Sequence, residues 1–202
     1  MSDANLKTVA FVRHGETPLH RGANRFCGDL DPDLTTEGRD QATRARDVVS
    51  QIMPEVDAAW TSPRLRARET ANLILPHAQW QVFEDLRELA FGEWEGLTKE
   101  EAAAKTPEAY RAWELDAYRN APPGGESGLA ALPRVERVVD AISKSSARNI
   151  LIVSHITYLR LLICLLIEIP LSQARLRLDV QQGRVGLLEV NGRSAKLTAL
   201  NR

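Results

Sequence analysis

The amino-acid sequence predicts an α/β fold in which a mostly parallel central sheet has helices on both faces and an antiparallel hairpin at its C-terminal end. Short apolar runs alternate with stretches of helical periodicity along most of the chain, a pattern typical of strands joined by crossover helices. The last two apolar runs flank Asn191-Gly192, a strong hairpin signal. With 202 residues, 44% of them hydrophobic, the chain is long enough to bury the core of a single domain, 1–202.

The predicted strands rest on short apolar runs that turn residues separate. The tripeptide Gln181-Gln182-Gly183, for example, divides two of the last runs. In chain order, strands are predicted at Val9–Val12, Asp57–Trp60, Trp80–Phe83, Ile150–Val153, Leu176–Val180, Arg184–Val190 and Lys196–Leu200.

The predicted helices rest on capping residues as well as on periodicity. Thr35 or Thr36 suits the N-cap of the first helix. Ser62-Pro63 offers an N-cap followed by proline at the first helical position, and Thr98 with Glu101 forms a capping box. Helices are predicted from Thr36 to about Ile52, from Ser62 to about Leu75, from Thr98 through a region divided by Pro107, from Ser127 to about Lys144, and from Ile156 to Ile167.

The stretch 93–123 predicts a small helical cap inserted over a site. It is interrupted by prolines and is rich in alanine and aromatic residues. The aromatic side chains either face an organic leaving group or, as aromatic residues mostly do, pack inside the cap. They are Trp94, Tyr110, Trp113 and Tyr118.

Composition and charge exclude several classes of partner. Lys and Arg number 26 and Asp and Glu 27, so no global positive field attracts nucleic acid or an anionic membrane. The opening stretch 1–7 has no apolar run of signal-peptide length, and Cys27 and Cys164 form no disulfide framework. Polar residues interrupt the apolar segment 150–170 before it reaches the ~20 residues of a membrane span. We therefore expect a cytoplasmic protein without a membrane partner.

Polar residues with catalytic potential come directly after predicted strands. Arg13-His14 follows the first strand, and Ser154-His155 follows the strand at Ile150–Val153. The segment 62–66 and Glu88 also stand just after predicted strands. Ligands of open α/β sheets bind at the carboxyl ends of the strands, so we expect these side chains to meet at one site.

These residue types suit the cleavage of a phosphate monoester. His14 offers a neutral imidazole nitrogen as the nucleophile near pH 7. Arg13 and Arg66 carry a permanent charge in a planar fork that matches phosphoryl oxygens. His155 adds a donor where a helix begins, and Glu88 can act as the general acid for the leaving oxygen and the general base for water.

Each candidate also has a purely structural interpretation. Arg13-His14 is compatible with an ordinary polar turn after a strand. His155 could cap a helix within the core, and Arg66 could be solvated like the arginines near it. Glu88 could serve only as an ion-pair partner of Arg87 or Arg66.

A metal site is disfavoured by the sequence. Asp29, Asp31 and Asp33 alternate as in a calcium loop, but Leu34 occupies the position where an EF-hand loop needs glycine, and no glutamate closes the loop. The four histidines have no close metal-ligand spacing. The chemistry considered above requires neither a metal nor another cofactor.

Six motifs in order resemble those of the histidine phosphatase superfamily, which has the phosphoglycerate mutase-like fold. They run from Val9 to about Ile167 and so cover most of the chain. The motifs are Val12–Thr17, Leu34–Gly38 with Gln41-Ala42, Thr61–Ala71, Leu86–Leu89 with Phe91–Gly96, Pro123–Ser127, and Val153–His155.

The resemblance implies a role for each of the five candidates. It makes His14 the nucleophile that becomes phosphorylated and Glu88 the acid and base. Arg13, Arg66 and His155 would complete the phosphate pocket. The family arginine of the third motif immediately precedes alanine, which selects Arg66 over its neighbouring arginines.

Two positions depart from the family pattern. This chain has His20 where relatives usually carry asparagine, and Cys27-Gly28 where many phosphatases place glutamine before glycine. His20 can still donate a hydrogen bond, whereas Cys27 does so only weakly. Asn24, in a slightly longer loop, is a candidate substitute. With Thr17 of the first motif, these residues form the predicted substrate-binding set.

A phosphatase is favoured over two other functions. Mutase relatives tend to be longer and grip the substrate carboxylate with basic side chains, whereas the stretch 93–123 offers Arg111 and Arg119 but no adjacent arginine pair. A non-catalytic module that binds phosphorylated ligands or partner proteins would usually have lost one of the five site residues. We predict a cofactor-independent phosphomonoesterase that hydrolyses small phosphorylated metabolites through a phosphohistidine intermediate.

The hairpin edge after Leu176 could also pair with a second subunit in a homodimer.

Overall fold

One six-stranded sheet runs through the middle of the protein in a computed structural model that describes residues 6–202. Residues 1–5, part of the opening stretch in which the sequence predicts no targeting segment, lie outside the described residues. The strands are β1 (Leu6–Arg13), β2 (Ala58–Thr61), β3 (Gln81–Val82), β4 (Asn149–Ser154), β5 (Val185–Asn191) and β6 (Ser194–Ala199).

The strand order confirms the predicted fold class. Across the sheet the order is β3-β2-β4-β1-β5-β6. Neighbours from β3 to β1 run parallel, whereas β5 pairs antiparallel with both β1 and β6. β5 and β6 form the predicted hairpin, in which Gly192 has a φ of 64°, a left-handed conformation that costs glycine little.

Helices cover both faces of the sheet. Three short 3₁₀ turns, at Glu84–Leu86, Gly92–Trp94 and Leu171–Gln173, lie between them. Within residues 6–202, no helix is long and apolar enough to cross a membrane. The helices are α1 (Thr36–Ile52), α2 (Leu65–Ile74), α3 (Lys99–Lys105), α4 (Pro107–Leu115), α5 (Gly128–Lys144), α6 (Ile156–Leu166) and α7 (Ala174–Arg177).

Alternating side chains give the sheet two separate hydrophobic faces. In β1, Val9 and Phe11 belong to the core beneath α5 and α6, whereas Ala10 and Val12 belong to the core beneath α1 and α2. β4 alternates in the same way. Because both faces are buried, these strands read as continuous apolar runs in the sequence.

The predicted strand at 176–180 is wrong. Residues 174–177 form α7, and the chain from Leu178 to Val180 joins no strand. The carbonyl oxygen of Leu178 accepts a hydrogen bond from Nε of Arg160 at 2.7 Å, and that of Val180 accepts one from Nη1 of Arg13 at 3.1 Å. In a strand these two carbonyl groups would bond to a neighbouring strand. Here they orient the side chains of Arg160 and Arg13.

The predicted start of α2 at Ser62 is also wrong. The helix begins at Leu65, with Arg64 at its N-cap and no capping hydrogen bond from that side chain. Ser62 Oγ lies instead 2.7 Å from Nε2 of His155. The other predicted caps are confirmed, with Thr35 capping α1 and the Thr98 capping box opening α3.

The first turn of α1 packs directly against the backbone that follows His14. Thr35 Oγ1 accepts the N–H of Gly38 at 3.0 Å, and Gln41 Oε1 accepts the N–H of Glu16 at 2.8 Å. A Cβ atom added at Gly38 would fall 2.1 Å from the carbonyl oxygen of Glu16. Glycine at this position therefore allows α1 to approach the edge of the sheet at which β1 ends.

We expect Gly38→Ala to lower the free energy of unfolding by about 1–3 kcal/mol, the range for an overpacked buried site. The backbone itself must move, because the clashing atom is not on a flexible side chain. Urea denaturation measures the loss. Asp40→Ala, on the exposed face of the same helix, is the control and should change stability by less than about 0.5 kcal/mol. Equal stabilities of the two variants would contradict this account of the α1 contact.

Candidate active site

Three parallel strands end at the same edge of the sheet, and a polar residue follows each of them. His14 follows β1, Ser62 follows β2 and His155 follows β4. A cavity of about 480 Å³ opens beside this edge. Of the ten predicted site residues, Thr17, Gly28, Arg66 and His155 do not line the cavity, and the six that do are Arg13, His14, His20, Asn24, Cys27 and Glu88.

His14 is held with one ring nitrogen available for attack. Its Nδ1 lies 2.8 Å from the carbonyl oxygen of Gly15. A carbonyl only accepts hydrogen bonds, so Nδ1 carries the proton and Nε2 carries the lone pair. Burial, followed by the positive charge of Arg66, holds the pKa of His14 well below its usual range. The ring is therefore neutral at pH 7, the form that a nucleophile requires.

Further imidazoles and a guanidinium surround His14. The ring centres of His155 and His20 lie 5.1 Å and 5.4 Å from that of His14. Nη1 of Arg13 donates to Val180 as described, while its Nε is buried and has no partner within residues 6–202. Burial lowers the pKa of Arg13 to about 10, so the guanidinium stays charged at neutral pH. The His14 ring therefore lies in the field of the Arg13 charge, and Arg13 also has a buried N–H group without a partner within residues 6–202.

Arg66 is fully buried, and its fork faces the loop that contains Cys27 and Gly28. Its Nη1 donates to the carbonyl of Leu30 at 2.7 Å. Its Nη2 donates to the carbonyls of Cys27 and Gly28 at 3.2 and 3.1 Å. Only Nε has no partner within residues 6–202. In this arrangement Arg66 offers an anion its charge and one N–H, whereas the sequence suggested a bidentate fork.

Glu95 fixes that loop, a role that the sequence pattern does not reveal. Its carboxylate accepts the backbone N–H groups of Gly28, Asp29, Leu30 and Phe91 at distances from 2.9 to 3.3 Å. Glu95 belongs to the motif Phe91–Gly96, but the motif does not reveal its partners. Three of the four amides that it binds lie 65 to 67 positions away in the chain. Glu95 therefore positions Arg66 through the loop carbonyls.

His155 stands at the N-cap of α6, but its side chain makes no capping hydrogen bond, so the capping interpretation is wrong. Its Nδ1 is buried and has no partner within residues 6–202. When the Ser62 hydroxyl donates to Nε2, the ring proton lies on Nδ1, which is then a free donor for an anion. Burial, followed by Arg66, holds the pKa of His155 well below its usual range, so the ring is neutral.

Glu88 caps α6 from outside the helix. Its carboxylate accepts the backbone N–H groups of Thr157 and Tyr158 at 3.0 and 3.1 Å, in the first turn where orphan donors need partners. Neither arginine considered as its ion-pair partner bonds to it, since Arg87 faces Glu126 and Arg66 contacts Asp31. The carboxylate is nearly fully buried and lines the cavity that contains His14.

Thr17, His20 and Asn24 belong to the loop beside His14. Thr17 Oγ1 lies 2.8 Å from His20 Nδ1, and Thr17 itself is fully buried. Burial, followed by the charge of Arg13, lowers the pKa of His20 to about 3. Asn24 is exposed and has a φ of 47°, a left-handed conformation that asparagine tolerates better than most residues.

Cys27 and Gly28 act through their backbone in the described contacts. Both carbonyls hold Arg66, and the N–H of Gly28 is bonded by Glu95. The Cys27 thiol lines the cavity and lies 3.4 Å from the carbonyl oxygen of Leu30. Burial raises the pKa of this thiol to about 11, so it is uncharged at neutral pH.

Residues 93–123, which include α3 and α4, contribute one wall of the cavity. Trp94 is fully buried, and its indole N–H donates to Thr106 Oγ1 at 2.8 Å, so its packing interpretation is confirmed. Trp113 is also largely buried but lines the cavity together with Lys99.

Two of the three alternating aspartates anchor α2. Asp29 pairs with Arg64, and Asp31 Oδ1 accepts the N–H of Leu65 at 2.8 Å and lies 3.5 Å from Nη1 of Arg66. Across residues 6–202, no three His, Cys, Asp or Glu side chains are grouped so that they could hold a metal ion.

Known proteins match the chain over nearly its whole length. Residues 9–202 match the histidine phosphatase superfamily (branch 1). The adenosylcobalamin/alpha-ribazole phosphatase of Escherichia coli is 33% identical over 193 residues, covering 94% of this chain and 93% of that protein. The glucosyl-3-phosphoglycerate phosphatase of Mycolicibacterium vanbaalenii is 34% identical over 177 residues, covering 83% and 77%. The crystal structure of the alpha-ribazole phosphatase from Shigella flexneri has a TM-score of 0.86 at 32% identity, with 96% of each chain covered.

These matches, the sheet order and the cluster around His14 define one class of protein. The chain belongs to the histidine phosphatase superfamily, branch 1, and has the phosphoglycerate mutase-like fold of that superfamily. It is a phosphatase and therefore a hydrolase.

We expect Glu95→Gln to lower the free energy of unfolding by about 1–3 kcal/mol, because four backbone N–H groups lose part of a charged acceptor. The variant should also raise KM for a phosphate ester, since the loop that orients Arg66 is freed. Urea denaturation and steady-state kinetics measure the two effects. Glu93→Gln is the matched control, because this exposed carboxylate of the same turn has Lys105, at 3.4 Å, as its one ionic partner within residues 6–202. If the two variants behave alike, Glu95 does not position Arg66.

Proposed function

We propose that the protein hydrolyses small phosphorylated metabolites in two steps, with His14 carrying the phosphoryl group between them. One observation supports this most. Three residues whose charge acts on the His14 ring each have a buried donor without an acceptor within residues 6–202, namely Nε of Arg13, Nε of Arg66 and Nδ1 of His155. Buried donors are normally satisfied, and a bound phosphoryl group would supply the missing acceptors.

In the first step, the phosphoryl oxygens of the substrate face Arg13, Arg66 and His155. Nε2 of His14 attacks phosphorus, so an N–P bond forms while the ester P–O bond breaks. Glu88 gives its proton to the leaving oxygen, and the alcohol departs neutral.

In the second step, the Glu88 carboxylate takes a proton from a water molecule as its oxygen attacks phosphorus. The N–P bond breaks, the lone pair returns to Nε2 of His14, and inorganic phosphate leaves. Positive charge around the phosphoryl group stabilises both transition states, because no reorganisation is needed when charge develops.

The cavity favours hydrolysis over the mutase reaction, in which the phosphoryl group returns to an alcohol that stays bound. Its volume of about 480 Å³ accommodates a metabolite and admits water to the phosphohistidine. Residues 93–123 act as the cap over this site. Two further expectations from the sequence, a cytoplasmic location and homodimer formation through the hairpin edge, stay predictions.

We expect His14→Ala to abolish hydrolysis of both p-nitrophenyl phosphate and ethyl phosphate, because the nucleophile is missing. Glu88→Gln should lower kcat/KM for ethyl phosphate by about 10²–10⁴-fold, the usual contribution of a general acid. Its effect on p-nitrophenyl phosphate should be much smaller, since nitrophenolate leaves without a proton. Steady-state assays with both esters measure the contrast.

The exposed His77 offers a control for these variants, and His77→Ala should keep wild-type rates. Equal losses on both esters would remove Glu88 from the acid role. Unimpaired hydrolysis by His14→Ala would overturn the proposed reaction.

A further inference from the structure

Three basic side chains line the same cavity as His14 and take no part in the two steps above. They are Lys99, Arg160 and Arg175. Within residues 6–202, no carboxylate oxygen lies within 4.0 Å of their charged nitrogens. Arg25, on the same wall, differs from them because it pairs with a carboxylate of α3 at 2.6 Å.

The acidic side chains of the cavity wall are bonded elsewhere. Glu88 accepts backbone N–H groups at the start of α6. Glu126 accepts two hydrogen bonds from Arg134, at 2.7 and 3.2 Å. Asp179 accepts one from Nε2 of Gln181 at 2.9 Å. Five Lys or Arg side chains and three carboxylates line the cavity, so its wall has an excess of positive charge.

One short backbone segment holds both Arg160 and Arg13. Nε of Arg160 donates to the carbonyl of Leu178, and Arg13 donates to the carbonyl of Val180. Residues 178 and 180 are two positions apart, and two residues of chain span at most about 7 Å. Both Nη atoms of Arg160 are without hydrogen-bond partners within residues 6–202. One short segment thus sets the spacing of two guanidinium groups.

Arg175 adds a second guanidinium from α7. Its central carbon lies 4.0 Å from the ring centre of Trp113, and stacking of this kind leaves the N–H edge free for a ligand. Burial lowers the pKa of both Arg160 and Arg175; at Arg160 the charges of Glu88 and Asp179 partly offset this effect and the charge of Arg175 adds to it. An anion between these groups would relieve that repulsion and replace the water that they have lost.

We propose that Arg160 and Arg175, with Lys99 beside them, form a second anion site, and that the physiological substrate is a phosphate monoester whose leaving group carries a further ionised group. This inference rests on the proposed function, because it takes the phosphoryl group to lie at His14. A carboxylate and a second phosphate both match a guanidinium edge. The short spacing from Arg13 requires the second anion to lie within a few bonds of the ester oxygen.

Three esters with the same three-carbon backbone test the proposal on the unmodified enzyme. They are 3-phosphoglycerate, glycerol 1,3-bisphosphate and glycerol 3-phosphate, which end in a carboxylate, a second phosphate and a neutral hydroxymethyl group. We expect kcat/KM for at least one anionic ester to exceed that for glycerol 3-phosphate by about tenfold or more, the gain from one charge-assisted contact. The better anionic ester identifies which anion the site takes. The absence of preference for either anionic ester would overturn the proposal.

Substitutions of Arg175 and Arg160 test whether these side chains cause the preference for an anionic ester. Arg175→Gln should reduce the preference for the anionic ester about tenfold, mainly through KM, and Arg175→Lys should restore part of it. Arg177→Gln is the matched control, because it removes the same charge from an exposed position of α7 outside the cavity and should keep the preference. An undiminished preference in both Arg175→Gln and Arg160→Gln would overturn the assignment.

Hydrolysis of p-nitrophenyl phosphate separates failure of this inference from failure of the proposed function. If that hydrolysis depends on His14 and the anionic esters are not preferred, the second anion site is wrong and the two-step reaction stands. If neither p-nitrophenyl phosphate nor any of the three esters is hydrolysed in a way that depends on His14, both are wrong.

Discussion

The hydrogen bond from Nδ1 of His14 to the carbonyl of Gly15 is the contact on which the rest of the site depends. It assigns the ring proton and leaves Nε2 unprotonated, while burial keeps the ring neutral. The N–H of Gly15 donates to Thr70 Oγ1, which in turn donates to the carbonyl of Arg66, both residues of α2. The backbone beside His14 and the position of Arg66 are therefore set by the same helix.

Backbone carbonyls, rather than carboxylates, orient most of the buried guanidinium groups near the site. Carbonyls of the Glu95-bound loop hold Arg66, and those of residues 178 and 180 hold Arg160 and Arg13. Arg134 donates hydrogen bonds to the carbonyls of residues 85, 87 and 88 and so holds the backbone at Glu88. It also pairs with the carboxylate of Glu126. Carbonyl partners fix a guanidinium without neutralising it. The charge stays available to an anionic substrate.

Features that depend on local sequence could be predicted. The strands β1 and β4, the hairpin at Gly192 and the caps at Thr35 and Thr98 each follow from residues within a few positions of one another. The meeting of His14 and His155 could also be predicted, because each follows a strand of a parallel sheet. Their ring centres lie 5.1 Å apart.

Features that depend on distant partners could not be predicted. Glu95 is an ordinary surface acid in the sequence, because the amides that it binds come from another loop. Ser62 has the pattern of an N-cap, yet its hydroxyl faces His155, 93 positions away. The run Leu176–Val180 has the hydrophobicity of a strand, but its carbonyls face arginines. In each case a tertiary hydrogen bond outweighs the local propensity.

Rapid-quench labelling tests most directly the proposed transfer of the phosphoryl group to a single imidazole. The enzyme is mixed with a ³²P-labelled phosphate ester, quenched in alkali within the first turnover and digested, and the labelled peptide is mapped. We expect label on Nε2 of His14 and none in His14→Ala. Label on another side chain, or turnover by His14→Ala at the wild-type rate, would contradict it.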